Sequence, residues 1–118
     1  MKNDVIKFIE ACDQTTSKET IFLYTKLIKE EYSEFVEAVC DQDEEEQLDA
    51  CMDMIWVILG FCHMKGYDIQ GAWDEVTKTN MAKVDPVTGK VRRREDGKIL
   101  KPDDWKEPDM SKFLQGTK

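Results

Sequence analysis

At 118 residues and 41% apolar side chains, the chain is expected to fold as one domain with a real core, which excludes global disorder. A formal net charge of −8 and a pI near 4.7 exclude a general nucleic-acid-binding surface, which needs a broad basic face. They leave room for a small phosphate-bearing ligand, because a metal ion or a local basic patch can offset the charge.

The N-terminal stretch MKNDVIKFIEACDQ lacks the long apolar core of a signal peptide. The longest apolar run, Met54 to Cys62, is nine residues, against the roughly 20 that cross a bilayer. The expectation is a cytoplasmic protein, bacterial or from a phage-infected host cell, that engages no membrane and no nucleic-acid polymer. Four cysteines, at 12, 40, 51 and 62, form no CxxC pair, so reduced, mostly buried thiols are expected. His63 follows Cys62 directly and is read as structural or surface.

A first helix is predicted over Asp4 to Cys12, with Asn3 as its cap. The segment TSKE, residues 16 to 19, fits a capping box and opens a long second helix reaching about Val39. After a break at CDQD, Asp43 caps a third helix whose EEE first turn suits the helix dipole. That helix stops at Lys65-Gly66, and a fourth runs from near Asp68 to about Ala82. Beyond it the chain holds all three prolines, and Asp96-Gly97 between KVRRR and KILK signals a hairpin. The tail from about Lys101 is expected to lie extended over the helices, with Trp105 as its anchor. The expected fold class is all-α, a four- to five-helix bundle over residues 1–84, with an irregular or hairpin extension over residues 85–118 packed on it.

The acids are placed unusually. At about 100° per residue, Glu31 and Glu34 fall on one stripe with Tyr24, Leu27, Phe35 and Ala38, whereas Glu30 and Glu37 fall on a flank that water can reach. On the third helix Glu46, Asp49 and Asp53 fall within about 60° of one another, on the side of Trp56 and Gly60. Most charge runs are solvated faces, and Glu30, Glu37, Glu44 and Glu45 are read that way. Asp53 is different, because the nine residues after Asp53 are apolar on every side of the helix. An antiparallel pairing across the short CDQD turn brings the two acidic sets together. Converging carboxylates without a buried Lys or Arg cannot all stay ionised, and hard oxygen ligands favour Mg²⁺ or Mn²⁺.

The ExxE on one helix and an acidic ExxD-type motif on the next resemble the all-α nucleoside triphosphate pyrophosphohydrolases. These are the MazG-like proteins, grouped with phosphoribosyl-ATP pyrophosphohydrolase and the dimeric dUTPases. The resemblance runs from about Leu27 to Lys83 through EEYSEFVEA, EEEQLDACMDMIWVILGF and MKGYDIQGAWDEVTKTNMAKV. Thr79, Asn80, Met81 and Lys83 are similar to the family's SNMxK segment, and REDGKILKPDDWKEPD resembles a phage and bacterial subgroup. Glu31 and Glu34 match the ExxE. The second motif has two registers: Glu46 with Asp49, or Asp53 with Ala50 where the family has glutamate.

The resemblance implies hydrolysis of a nucleoside triphosphate, with a deoxynucleotide favoured, to the monophosphate and pyrophosphate. Mg²⁺, or Mn²⁺ in its place, would be held by Glu31, Glu34, Glu46, Asp49 and Asp53. Glu34, with Glu31, would serve as the catalytic carboxylate. Asn80 and Lys83 would take phosphate oxygens, with Arg92 of the basic run a further candidate and Trp56 a candidate for stacking the base. A solvated Lys83, an exposed basic hairpin and a core Trp56 are the structural alternatives. The apolar girth of the third helix, together with the resemblance, points to a homodimer or homotetramer. Two competing classes are a non-catalytic acidic interaction or regulatory protein, and a structural metal-binding bundle. The first leaves the acids on apolar stripes unexplained, and the second leaves KTNMAK unexplained.

Overall fold

Three of the four helices begin on a side chain that accepts an otherwise orphaned backbone N–H. In the computed structural model, which describes residues 1–115, helix α1 spans Lys2–Ala11, α2 Lys18–Cys40, α3 Glu44–Met64 and α4 Ile69–Met81. Asp43 accepts from the Glu46 N–H at the start of α3, as the sequence suggested, and Asp68, near the expected start of α4, accepts from the Gly71 N–H. Two starts differ from expectation. Helix α1 begins before Asn3, with no side-chain cap. The box on α2 is closed by Ser17 and Thr20 instead of Thr16 and Glu19, because the Thr20 hydroxyl accepts the Ser17 N–H while Ser17 Oγ accepts the Thr20 N–H.

The fold is all-α. Helices α2 and α3 form an antiparallel hairpin across residues 41–43, where Gln42 takes a positive φ of 57°. Val5 and Ile9 of α1 meet Tyr24, Val57 and Met64 of this hairpin to make the core. The core therefore fills the end of the hairpin away from its turn. The buried Tyr24 donates its hydroxyl to Gln14 Oε1 at 2.9 Å. Its ring lies against Gly60, where an added methyl would overlap the ring atoms. Gly60→Ala should therefore cost about 1–3 kcal/mol by overpacking, read as a lower denaturant midpoint with unchanged slope. An unmoved midpoint would show that Tyr24 does not seat there.

Beyond α4 a short antiparallel pair, β1 (Arg92–Arg93) and β2 (Ile99–Leu100), places Arg92 opposite Leu100. Gly97 turns the chain between them with φ of +90°, a conformation that favours glycine. A single 3-10 turn, Ser111–Phe113, docks on the start of α4: the Asp68 N–H donates to Phe113 O, and the Phe113 ring sits over Gly71. The cysteines are free, but only Cys51 and Cys62 are half-buried. Cys12 and Cys40 are exposed because they fall at the ends of α1 and α2, which corrects the expectation of mostly buried thiols.

Candidate functional site

The seating of Tyr24 on Gly60 sets the register of the hairpin. Two turns on along α2 is Glu31, and two turns back along α3 is Asp53, so the two acids come level. Further toward the turn, Gln47 Nε2 donates to Ala38 O at 3.3 Å, which keeps the same register. Glu34 and Asp49 lie one turn further along from Glu31 and Asp53 and are exposed. Small residues, Ala38 and Ala50, are buried in this half of the seam, so the helices can approach closely there.

Glu31 is half-buried, and its Oε2 is fully buried without a hydrogen-bond partner. Burial is the main force pushing its carboxyl up, to about 7; the charge of Glu34 and its carboxyl contact come next, then Asp53 and Asp49. Asp53 is also raised, first by burial, then by Asp49 and Glu34. None of the ion pairs among the described residues reaches these four acids. Four carboxyl groups thus share one field with no cation in it, and Glu31 balances near neutral pH between its acid and base forms. Glu46 is exposed in the first turn of α3, and its charge is not among those acting on Glu31.

The donor set suits a hard divalent cation in chemistry: oxygen ligands only, an orphaned buried oxygen, and no competing Lys or Arg. The carboxyl groups stand as neighbours, and among the described residues no three acids, cysteines or histidines converge into a closed ligand set.

Of the other sequence-derived candidates, Trp56 is one turn past Asp53 on α3, and the rest lie outside the α2–α3 hairpin. Asn80 is in the last turn of α4, and its Oδ1 accepts from Lys83 Nζ at 3.1 Å. Lys83 also lies over the Trp105 ring, 5.2 Å from its centroid. Trp56 is partly exposed and meets Phe8 edge-on at 5.7 Å. Arg92 is exposed in β1. A surface cleft of about 650 Å³, lined by Lys2, Ile6, His63, Lys65, Tyr67 and Leu114 among others, holds none of the acids of the seam. His63 is ten residues past Asp53, about 15 Å along the helix. Helix α4 touches α3 only lightly, so a single chain leaves the acidic seam open.

Residues 4–80 match the family model for phosphoribosyl-ATP pyrophosphohydrolase, a span that holds both walls of the acidic seam and Asn80. The chain belongs to the phosphoribosyl-ATP pyrophosphohydrolase family. Membership places it among hydrolases that cleave a phosphoric anhydride, and a nucleotide substrate is in keeping with the family. No curated protein matches the chain. The family match ends at Asn80, so Lys83, the β1–β2 hairpin and Trp105 lie outside it. The link from Lys83 to Trp105, 22 residues on, had no signal in the sequence, whereas the Asn80–Lys83 pair follows from i, i+3 spacing near a helix end. Among the described residues no helix is long and apolar enough to cross a membrane.

Proposed function

We propose that the protein is a Mg²⁺-dependent nucleoside triphosphate pyrophosphohydrolase that cleaves a ribo- or deoxyribonucleoside triphosphate to the monophosphate and pyrophosphate, adjusting or cleansing a nucleotide pool. The observation that carries this reading is the unpaired carboxyl set across the α2–α3 seam, with Glu31 held near neutrality and its Oε2 orphaned. Glu31, Glu34, Asp49 and Asp53 would hold the cation, with Glu46 a candidate at the edge. Asp49 and Glu46 are the acids available to make up for the glutamate that Ala50 replaces. When bound, Mg²⁺ or Mn²⁺ supplies charge neutralisation for the phosphates and a more acidic water.

Glu34 is an exposed member of the set on α2, beside the half-buried Glu31, and would take a proton from the attacking water. Water is added across the anhydride joining the α and β phosphates, one of its protons passing to Glu34, and pyrophosphate leaves. Asn80 and Lys83 bind phosphate oxygens through an amide N–H and an ammonium. Trp56, partly exposed, is available to stack a base, and Arg92 to meet an outer phosphate.

The working form is a homodimer or homotetramer. Two stripes support this, each at i, i+4, i+7 spacing: Tyr32, Val36 and Val39 on α2, and Leu48, Met52 and Ile55 on α3. All six are exposed in the single chain, Leu48 by 62%. A stripe of that kind on a helix hairpin is an interface signature.

The experiment is a panel of ribo- and deoxyribonucleoside triphosphates, with and without Mg²⁺ or Mn²⁺, assayed for pyrophosphate and run beside sedimentation of the same sample. Expected are metal-dependent pyrophosphate release and a species larger than a monomer. Turnover of no nucleotide with either metal overturns the enzymatic reading, and full activity in a monomer overturns the assembly. Phosphoribosyl-ATP belongs on the panel, because the family description names it. Preference for it over every triphosphate would correct the substrate.

A further inference from the structure

An α-helix ends with carbonyls that have no partner inside it, and at the end of α4 one of them is taken by a distant side chain. The indole Nε1–H of Trp105 donates to Thr79 O at 2.7 Å. The N–H that would serve Thr79 in a continuing helix belongs to Lys83, and it donates instead to Asn80 O at 3.1 Å. The chain therefore turns away from the helix axis at Lys83. The same turn delivers the Lys83 ammonium to the face of the indole, 5.2 Å from its centroid, and within 3.1 Å of Asn80 Oδ1. Lys101 lies 4.4 Å from the same centroid.

The partners of Lys83 are of an unusual kind for so acidic a chain. Asn80 and the Trp105 ring are both neutral. Among the described residues, no carboxylate pairs with Lys83. Such partners fix the direction of an ammonium without cancelling its charge, so it stays available to an anion.

We propose that Trp105 is a positioning residue for the Asn80–Lys83 pair: its N–H closes α4 at Thr79, and its ring seats the lysine ammonium toward the substrate's phosphates. The proposal rests on the functional reading above, in which that pair binds phosphate. Trp105 itself touches no reacting atom.

The test is a double-mutant cycle in the full-length protein, with Trp105→Leu and Trp105→Phe made in the native chain and in Lys83→Met. The substrate is the best triphosphate of the panel with Mg²⁺. Trp105→Leu should raise KM roughly 5- to 10-fold with kcat within about 2-fold. Trp105→Phe, which keeps a ring face but no N–H, should recover part of that loss. In Lys83→Met, Trp105→Leu should change KM by less than about 2-fold, because the group it positions is gone. Equal KM effects in both backgrounds would reduce Trp105 to a structural anchor and overturn the proposal, as would an unchanged KM in the native chain. A second readout does not use activity. With the lysines carrying ¹³C-methyl labels, the Lys83 signal should show a ring-current shift that Trp105→Leu removes. An inactive native protein that still shows this shift refutes the function and keeps the contact, whereas an active one without it refutes the positioning.

Discussion

Glu34→Gln should lower kcat for pyrophosphate release by about 10²- to 10⁴-fold, the loss expected of a general base, and should leave the folded protein intact. Glu34 is exposed, so an isosteric amide leaves no cavity and no buried group without a partner. Its charge also helps push Glu31 and Asp53 up, so its loss relieves the seam and should not lower the unfolding midpoint. Glu37, a turn further along α2, is exposed and is not among the charges acting on Glu31. Glu37→Gln should therefore leave kcat within about 2-fold of native. Steady-state rates and thermal melts of the two variants settle the matter: equal rates would remove Glu34 from the chemistry.

The metal-free protein should lose stability as the pH rises from about 5 to about 8. The Glu31 carboxyl stands near 7 in the fold against an ordinary 4.5, so between those values the folded state holds a proton that the unfolded chain has released. Stability is then greatest below the unfolded value and is lost as the pH passes the folded one. Asp53, also raised, acts in the same direction. Allowing for screening by the water that reaches the seam, the loss should be on the order of 1–3 kcal/mol, measured by urea unfolding at a series of pH values in the presence of chelator. Glu31→Gln should flatten the profile, since an amide has no proton to lose. Mg²⁺ added at pH 8 should restore stability to the native chain, rising with the logarithm of its concentration once that exceeds the dissociation constant. A metal-free profile that rises across this window would mean that the seam is not under charge strain.

Much of this arrangement can be read from residues alone. Asp43 and Asp68 are cap residues by type and position, and both act as caps. Helical spacing alone put Glu31 on the stripe of Tyr24 and Ala38, and it is half-buried in that seam. What spacing lacks is register. Angles around each helix name the facing residues, but not which of them come level. That depends on one close contact, Tyr24 on Gly60, whose necessity appears only when both backbones are in place. Ala50 shows the same limit: its burial in the seam accounts for a small residue there, a reason its sequence neighbours do not disclose. The capping box sits one residue later than TSKE suggests: Thr16 Oγ1 reaches Met64 Sδ at 3.8 Å, and Ser17 with Thr20 closes the box. Trp105 is legible as the anchor of the tail, but its seat at Thr79, like that of Phe113 at Gly71, is not, since each joins residues separated by a long stretch of chain.

The attachment of α4 has a consequence for the order in which the protein is made. Helices α1 to α3 hold one another, and their core is complete once Met64 has been added. Helix α4 is held more by the C-terminal segment than by the three helices before it: Trp105 at Thr79, Asp109 at Glu75 and Phe113 at Gly71. During synthesis the residues of the acidic seam thus emerge early, while α4, which bears Asn80 and leads into Lys83, can gain its full seat only after Phe113 has left the ribosome. At the growth rates of nascent chains, roughly 5–20 residues per second, the stretch from Met64 to Phe113 takes several seconds to add, and for that time α4 lacks the segment that seats it.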